Sequence, residues 1–218
     1  MDRTAHRSMD EAQRVNRRLR DLAHDGAPAE LEDAVAQGAD PNCAGHRGLT
    51  PLLIAAAHHP DPSAVRTLLA LGARLDHRSA GEEAAAIHVA AVHNPRPEVL
   101  RALVEAGSDV DARDAHSATP LLLAAGRNPN AACVRMLLRL GADPDARDAL
   151  GRCALHAAIT RPARPAVVRA LVDAGARIDA RDAAGRTPLM LAAQVGDRAA
   201  LAMLLAAGAG EPSAAGFG

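Results

Sequence analysis

Gly141-Ala142-Asp143-Pro144-Asp145-Ala146-Arg147-Asp148, with Leu137-Leu138 just ahead of it, is a phrase that this chain repeats. Gly38-Ala39-Asp40-Pro41-Asn42, Gly72-Ala73-Arg74-Leu75-Asp76, Gly107-Ser108-Asp109-Val110-Asp111, Gly175-Ala176-Arg177-Ile178-Asp179 and Gly208-Ala209-Gly210 are further copies. The leading glycines are separated by 34, 35, 34, 34 and 33 residues. A fixed period of this length marks a stacked architecture in which each unit packs mainly on its neighbours.

Outward from the phrase, each unit reads as two short helices. Gly48-Leu49-Thr50-Pro51-Leu52 opens one: Thr50 is a favourable N-cap, and Pro51 fits a first turn, where its missing N–H costs nothing. Leu52 to Ala57 continues the helix, and His59-Pro60-Asp61-Pro62 breaks it. A second helix carries Val65, Leu68 and Leu69 at helical spacing and ends at Gly72, placed as a left-handed cap. Thr119-Pro120-Leu121 and Thr187-Pro188-Leu189 repeat this start, and Ala85-Ala86-Ile87-His88 and Cys153-Ala154-Leu155-His156 are weaker copies. Residues 1–9 read as a polar tail, 10–212 as one repeat domain, and 213–218 as a second tail. The units fall at about 10–44, 45–79, 80–113, 114–147, 148–181 and 182–212. The first helix of the first unit is polar, as a terminal cap facing water should be.

These residues resemble the ankyrin repeat. Thr187-Pro188-Leu189-Met190-Leu191-Ala192-Ala193 with Leu204-Leu205-Ala206-Ala207-Gly208-Ala209 is similar over a whole unit. The resemblance implies an all-α solenoid of helix–turn–helix units with β-turn fingers. Two departures stand out. The loops between helices in units two to five are one residue longer than in unit six and contain Pro60, Pro95, Pro129 and Pro162. The family's Thr and His also avoid each other: units with Thr50, Thr119 or Thr187 lack the His, and units with His88 or His156 have Ala85 or Cys153 in place of Thr. The bond the family makes between those two side chains is therefore expected to be missing throughout.

The apolar share is 49%, yet Phe217 is the single aromatic, so the core must be thin and aliphatic. All 25 basic residues are Arg, and the formal charge is -1, which gives no global field for nucleic acid. The Arg and Ala bias suggests a GC-rich, bacterial source. Three cysteines without C-x-x-C spacing argue for a reducing, cytoplasmic setting and against a disulfide framework or a zinc site. No signal-peptide pattern and no apolar membrane span are present, and a monomer is expected.

The catalytic inventory is thin. Cys153 and Cys133 fall at packing positions, and Cys43 lies in a turn where it can be exposed with nothing to activate it. Glu82-Glu83 reads as a solvated acid pair. His58 and His93 are equivalent positions one unit apart, about 10 Å by helix spacing, too far to share a metal. His59 can come nearer His93, but no third ligand is evident. No glycine-rich phosphate loop exists, and no cofactor is expected.

The resemblance places a partner on the concave face, formed by finger tips and first helices. The tip before the conserved Asp holds Arg78, Arg113, Arg147 and Arg181. First-helix ends hold His58, His93, Arg127 and Arg161, and other tip positions hold His46, Arg47, His116, Leu150, Arg152 and Arg186. Together they form a basic stripe suited to carboxylates of an acidic protein surface or peptide. Local pairing of the tip arginines with Asp114, Asp148 and Asp182 is the competing account. Without stacking aromatics, nucleic acid is disfavoured. The expected function is a non-catalytic protein-binding module. The alternatives are an inhibitor or immunity protein for a toxin or enzyme, an effector acting in a host cell, and a metal or catalytic protein using His58, His59 and His93.

Overall fold

The computed structural model describes residues 3–161 and 164–209. Among them twelve α-helices follow in six consecutive pairs, and no strand forms. The pairs are α1 (Arg3–Asp25) with α2 (Pro28–Ala36), α3 (Pro51–His58) with α4 (Pro62–Ala70), and α5 (Ala86–His93) with α6 (Pro97–Glu105). They continue as α7 (Pro120–Arg127) with α8 (Ala131–Arg139), α9 (Ala154–Ile159) with α10 (Pro165–Asp173), and α11 (Pro188–Val195) with α12 (Arg198–Ala206). The expected tail at 1–9 differs from the structure, since α1 starts at Arg3. Helix propagation onto an existing nucleus needs little, so the polar segment simply lengthens α1. The tail expected at 213–218, the end of the sixth unit from 210, and Pro162 lie outside the described residues.

Odd-numbered helices stack into an inner layer and even-numbered helices into an outer one. The inner helices α3, α5, α7 and α9 are short and buried nearly all round, as Pro51, Leu52, Leu53, Ala55, Ala56 and Ala57 in α3 illustrate. Alanine pairs at 55–56, 90–91, 124–125 and 157–158 sit in this layer, all buried. Small side chains let consecutive inner helices approach closely. The outer helices bury one face only, for example Val134 and Leu137 in α8 and Val168 and Leu171 in α10. One aliphatic core runs unbroken from Leu19 to Ala209.

The phrase that opens the sequence is a helix stop. Gly38, Gly72, Gly107, Gly141, Gly175 and Gly208 have φ of 96, 92, 102, 93, 81 and 92°, the left-handed region where a side chain is strained. Helix starts divide into two kinds. Thr50, Thr119 and Thr187 accept from the N3 amides of Leu53, Leu122 and Met190 at 3.4, 3.3 and 3.3 Å. Where Thr is absent, the N3 histidine works in reverse. The Ala85 N–H donates to His88 Nδ1 at 3.2 Å, and the Cys153 N–H donates to His156 Nδ1 at 3.3 Å. The two reciprocal halves of a capping box are thus divided between alternate units. The histidine contact expected to be lost is replaced by a backbone donor, and in unit five the Cys153 thiol also lies 3.0 Å from His156 Nδ1. The far nitrogens, His88 Nε2 and His156 Nε2, donate to Ala112 O at 2.9 Å and Arg186 O at 3.0 Å. Each histidine therefore ties its helix to the next finger.

The longer loops carry a second lateral tie. His59 Nε2 donates to Gly26 O at 2.8 Å, Asn94 Nδ2 donates to Ala56 O and His59 O at 3.2 and 3.3 Å, and Asn128 Nδ2 donates to Ala91 O and Asn94 O, both at 2.9 Å. These three side chains are buried, so in units two to four each plugs the preceding unit.

Candidate functional site: the concave face

Finger tips pair through their backbones from unit to unit. Ala80, Ala115, Ala149 and Ala183 donate N–H to Arg47 O, Glu82 O, His116 O and Leu150 O at 3.0, 3.0, 2.9 and 2.9 Å. The arginine row runs alongside this ladder. Arg78 Nη1 donates to Glu83 O in its own finger at 2.8 Å and to Arg113 O in the next at 3.0 Å. Arg113 Nη1 repeats this on Ser117 O and Arg147 O at 2.8 and 2.6 Å. Arg147 Nη1 reaches Gly151 O at 3.0 Å and Arg181 O beyond it, and Arg181 Nη1 closes on Gly185 O at 2.9 Å. The guanidinium groups of Arg78, Arg113 and Arg147 thus clamp their own turns to the next arginine's carbonyl, and Arg181 ends the row on its own turn. The four side chains remain exposed along their other edges.

The finger aspartates Asp114, Asp148 and Asp182 do not pair with this row. Asp148 Oδ2 instead accepts from Arg152 Nε and Nη2 at 2.8 and 2.7 Å, and Asp182 Oδ2 from Arg186 Nε and Nη2 at 2.9 and 2.8 Å. Both aspartates are buried, and the Arg186 hydrogen bonds hold the Asp182 carboxyl below the usual carboxylate range. Arg152 and Arg186, expected as partner contacts, are therefore already ion-paired.

A different row stands at the inner-helix ends. His24, His58 and His93 form a column with ring centroids 5.2 and 6.0 Å apart, and the exposed Arg127 and Arg161 hold the equivalent positions in the next two units. The rings lean together well inside the ~10 Å backbone spacing between units. Burial, then the fields of His24 and His93, push the His58 pKa down. Arg127 has no hydrogen bond or ion pair among the described residues. A groove of ≈ 290 Å³ opens between this row and the fingers of units three to five. His93, Arg127 and Arg161 stand on its helix side, and Glu82, Asp114, His116 and Arg152 on its finger side. Its floor is a small apolar cluster of Ala118, Leu122 and Ala157 with Leu123 against it.

The sequence model for ankyrin repeats, in three copies, matches residues 21–114, 87–182 and 121–213. The chain belongs to the ankyrin-repeat family. It is similar to the solved ankyrin repeat domain of Bcl-3, a unique member of the IkappaB protein family. The identity is 31%, the TM-score 0.69, and the match covers 82% of this chain and 77% of that one. No curated relative matches the chain. Ankyrin repeats are generally protein–protein interaction modules, and no helix among the described residues is long and apolar enough to cross a membrane.

Set in the ankyrin register, the remaining expected contacts separate. His46 and Arg47 are exposed in a 3₁₀ turn at His46–Gly48, outside the groove. His116 is exposed within it, and Leu150 is 58% exposed at the tip of the fifth finger. His59 is not a surface histidine, being 2% exposed and bonded at both ring nitrogens. Among the described residues no three His, Cys, Asp or Glu side chains converge as metal ligands. Cys43 is not open to solvent but 8% exposed, with its thiol pushed up in pKa by burial. The Cys153–His156 contact has the spacing of a nucleophile and base. Burial nevertheless raises the thiol and lowers the imidazole, so both stay neutral, and the pair serves as a helix cap. Three features went unread in the sequence: His24 in the column, the apolar Met190 and Val195 that end the inner face, and the unpaired finger carboxylate at Asp114. Comparing Ala118 with Arg152 and Arg186 in register would have exposed the last.

Proposed function

We propose that this chain is a non-catalytic protein-binding module of six units that receives an acidic surface or peptide of a partner protein along its concave groove. The observation carrying this reading is the row His58, His93, Arg127 and Arg161. It is exposed and recurs once per unit, its last three members border an open groove, and Arg127 is left uncommitted by the fold. A cation at a helix C-terminus is favoured by the helix dipole, yet it keeps its hydrogen-bonding fork for a carboxylate. Three buried free cysteines support a reducing, cytoplasmic setting. The polar first helix supports a self-sufficient monomer.

The test is fluorescence anisotropy with a labelled glutamate-rich peptide against the same peptide with Gln at every Glu. We expect the acidic peptide alone to bind, and to weaken steeply as salt rises. Equal affinity for the two peptides would remove the basis of the reading.

A further inference from the structure

We propose that the finger of the fourth unit is a receptor for a guanidinium supplied by the partner: Asp114 takes from another molecule the arginine that Asp148 and Asp182 take from their own chain. The proposal rests on the reading of the concave face as the partner surface and names one side chain that the partner must bring.

Three carboxylates, Asp114, Asp148 and Asp182, hold equivalent places in successive fingers. Asp148 Oδ1 accepts from the Leu150 and Arg152 amides, both at 2.9 Å, and this orientation aims Oδ2 at the Arg152 side chain. Asp182 Oδ1 accepts from the Ala184 and Arg186 amides at 3.0 and 2.9 Å, and its Oδ2 holds Arg186 in the same way. Asp114 is set identically, with Oδ1 accepting from the His116 and Ala118 amides, both at 2.8 Å. The residue at the arginine position here is Ala118, whose side chain ends at Cβ. Asp114 Oδ2 consequently has no hydrogen bond or ion pair among the described residues. The ≈ 290 Å³ groove is lined by both Asp114 and Ala118, at the place where the next two units carry a guanidinium.

The chemistry selects the guest. A carboxylate oxygen oriented by two backbone donors, with its second oxygen presented edge-on, matches the planar fork of arginine better than the point charge of lysine. Glu82 stands on the same side of the groove and adds a second negative charge. His93, Arg127 and Arg161 face it from the helix side. The groove is thus a cationic wall with one anionic notch. It fits an acidic segment that carries a single arginine. The apolar floor at Leu122 and Ala157 would take the aliphatic stem of that side chain.

The experiment uses the full ¹⁵N-labelled chain, titrated with N-acetyl-arginine amide, and N-acetyl-glutamine amide as the neutral control. The expected result is a saturable shift of the His116 and Ala118 amides with the arginine probe alone. Asp114→Asn, which keeps the acceptor for both amides, should abolish it. Ala118→Arg should also abolish it while keeping or raising Tm, because the chain then supplies its own guanidinium. An equal response to the glutamine probe, or an unchanged response in either variant, would overturn the proposal. A glutamate-rich peptide with a central Arg should bind about tenfold more tightly than one with a central Gln. If both bind alike and the arginine probe is silent, the notch fails while the acidic-groove reading stands. If the probe acts but exchanging Glu for Gln costs nothing, the groove reading fails and the notch stands.

Discussion

Two rows of basic side chains run along the concave face with the same period, and they do different work. Arg78, Arg113, Arg147 and Arg181 lie on the fingers, the first three bonded to two carbonyls each and Arg181 to one, and the ladder absorbs them. His58, His93, Arg127 and Arg161 lie one helix away, at inner-helix ends where nearby carbonyls are already taken by the Asn94, Asn128 and Arg164 side chains, and among the described residues the contact between members is that of the leaning His58 and His93 rings. A charge that recurs once per unit is therefore no sign of a ligand by itself. What separates the rows is the local supply of acceptors, which depends on where each residue sits in the unit.

The finger row should give the larger effect on stability. Its most sensitive member is a glycine: Gly151 has φ +70°, and a Cβ there would lie 2.9 Å from Ala183 N, in the middle of the ladder. Gly151→Ala should cost about 1–3 kcal/mol in chemical denaturation. Next in size, Arg113→Ala with Arg147→Ala should cost about 1–2 kcal/mol, a drop of several degrees in Tm. A double variant that melts with the wild type would return the finger row to the partner surface and erase the contrast between the rows.

The sequence carries this architecture in its glycine period and its Thr-Pro starts, because a left-handed helix stop and an N-cap are local requirements of single residues. The arginine clamp is not local. Its acceptors are carbonyls one unit away, and nothing in the identity of Arg147 tells whether it will point at them or at solvent. The Asp148–Arg152 pair spans only four residues, yet the sequence points to Arg147, the nearer arginine, and only the turn geometry turns the carboxylate to the one after. The same limit hid His59: a histidine beside Pro60 reads as surface, and only the stacked neighbour supplies Gly26 O. Ala118 was hardest to notice, because its meaning is the side chain that it lacks.

A smaller effect separates buried histidines from the exposed column. Burial lowers the pKa of His88 and of His156, and each accepts a backbone N–H at Nδ1 that protonation would expel. The unfolded chain then binds protons more readily than the folded one. Stability from these caps is full above the ordinary histidine value of about 6.5 and declines as pH falls below it toward the lowered folded values. Asp182, whose pKa is lowered, loses its contribution only below the ordinary carboxylate value of about 3.9, so the two windows do not overlap. The urea midpoint should fall between pH 7 and pH 5 in the wild type, and the slope should flatten in His88→Gln with His156→Gln. An unchanged slope would mean that the caps are indifferent to protonation.

The smallest expected change in stability belongs to the helix-end row, and it completes the contrast. Arg127 and Arg161 are exposed, and the folded chain asks nothing of the Arg127 fork. Arg127→Ala with Arg161→Ala should therefore leave unfolding within about 0.5 kcal/mol of wild type. The same variant should bind the glutamate-rich peptide more weakly and with a shallower dependence on salt, because two fewer charges meet the carboxylates. A loss of stability without a loss of affinity would reverse the assignment of the two rows. A loss of affinity without a loss of stability is the outcome that only an uncommitted row of cations can give.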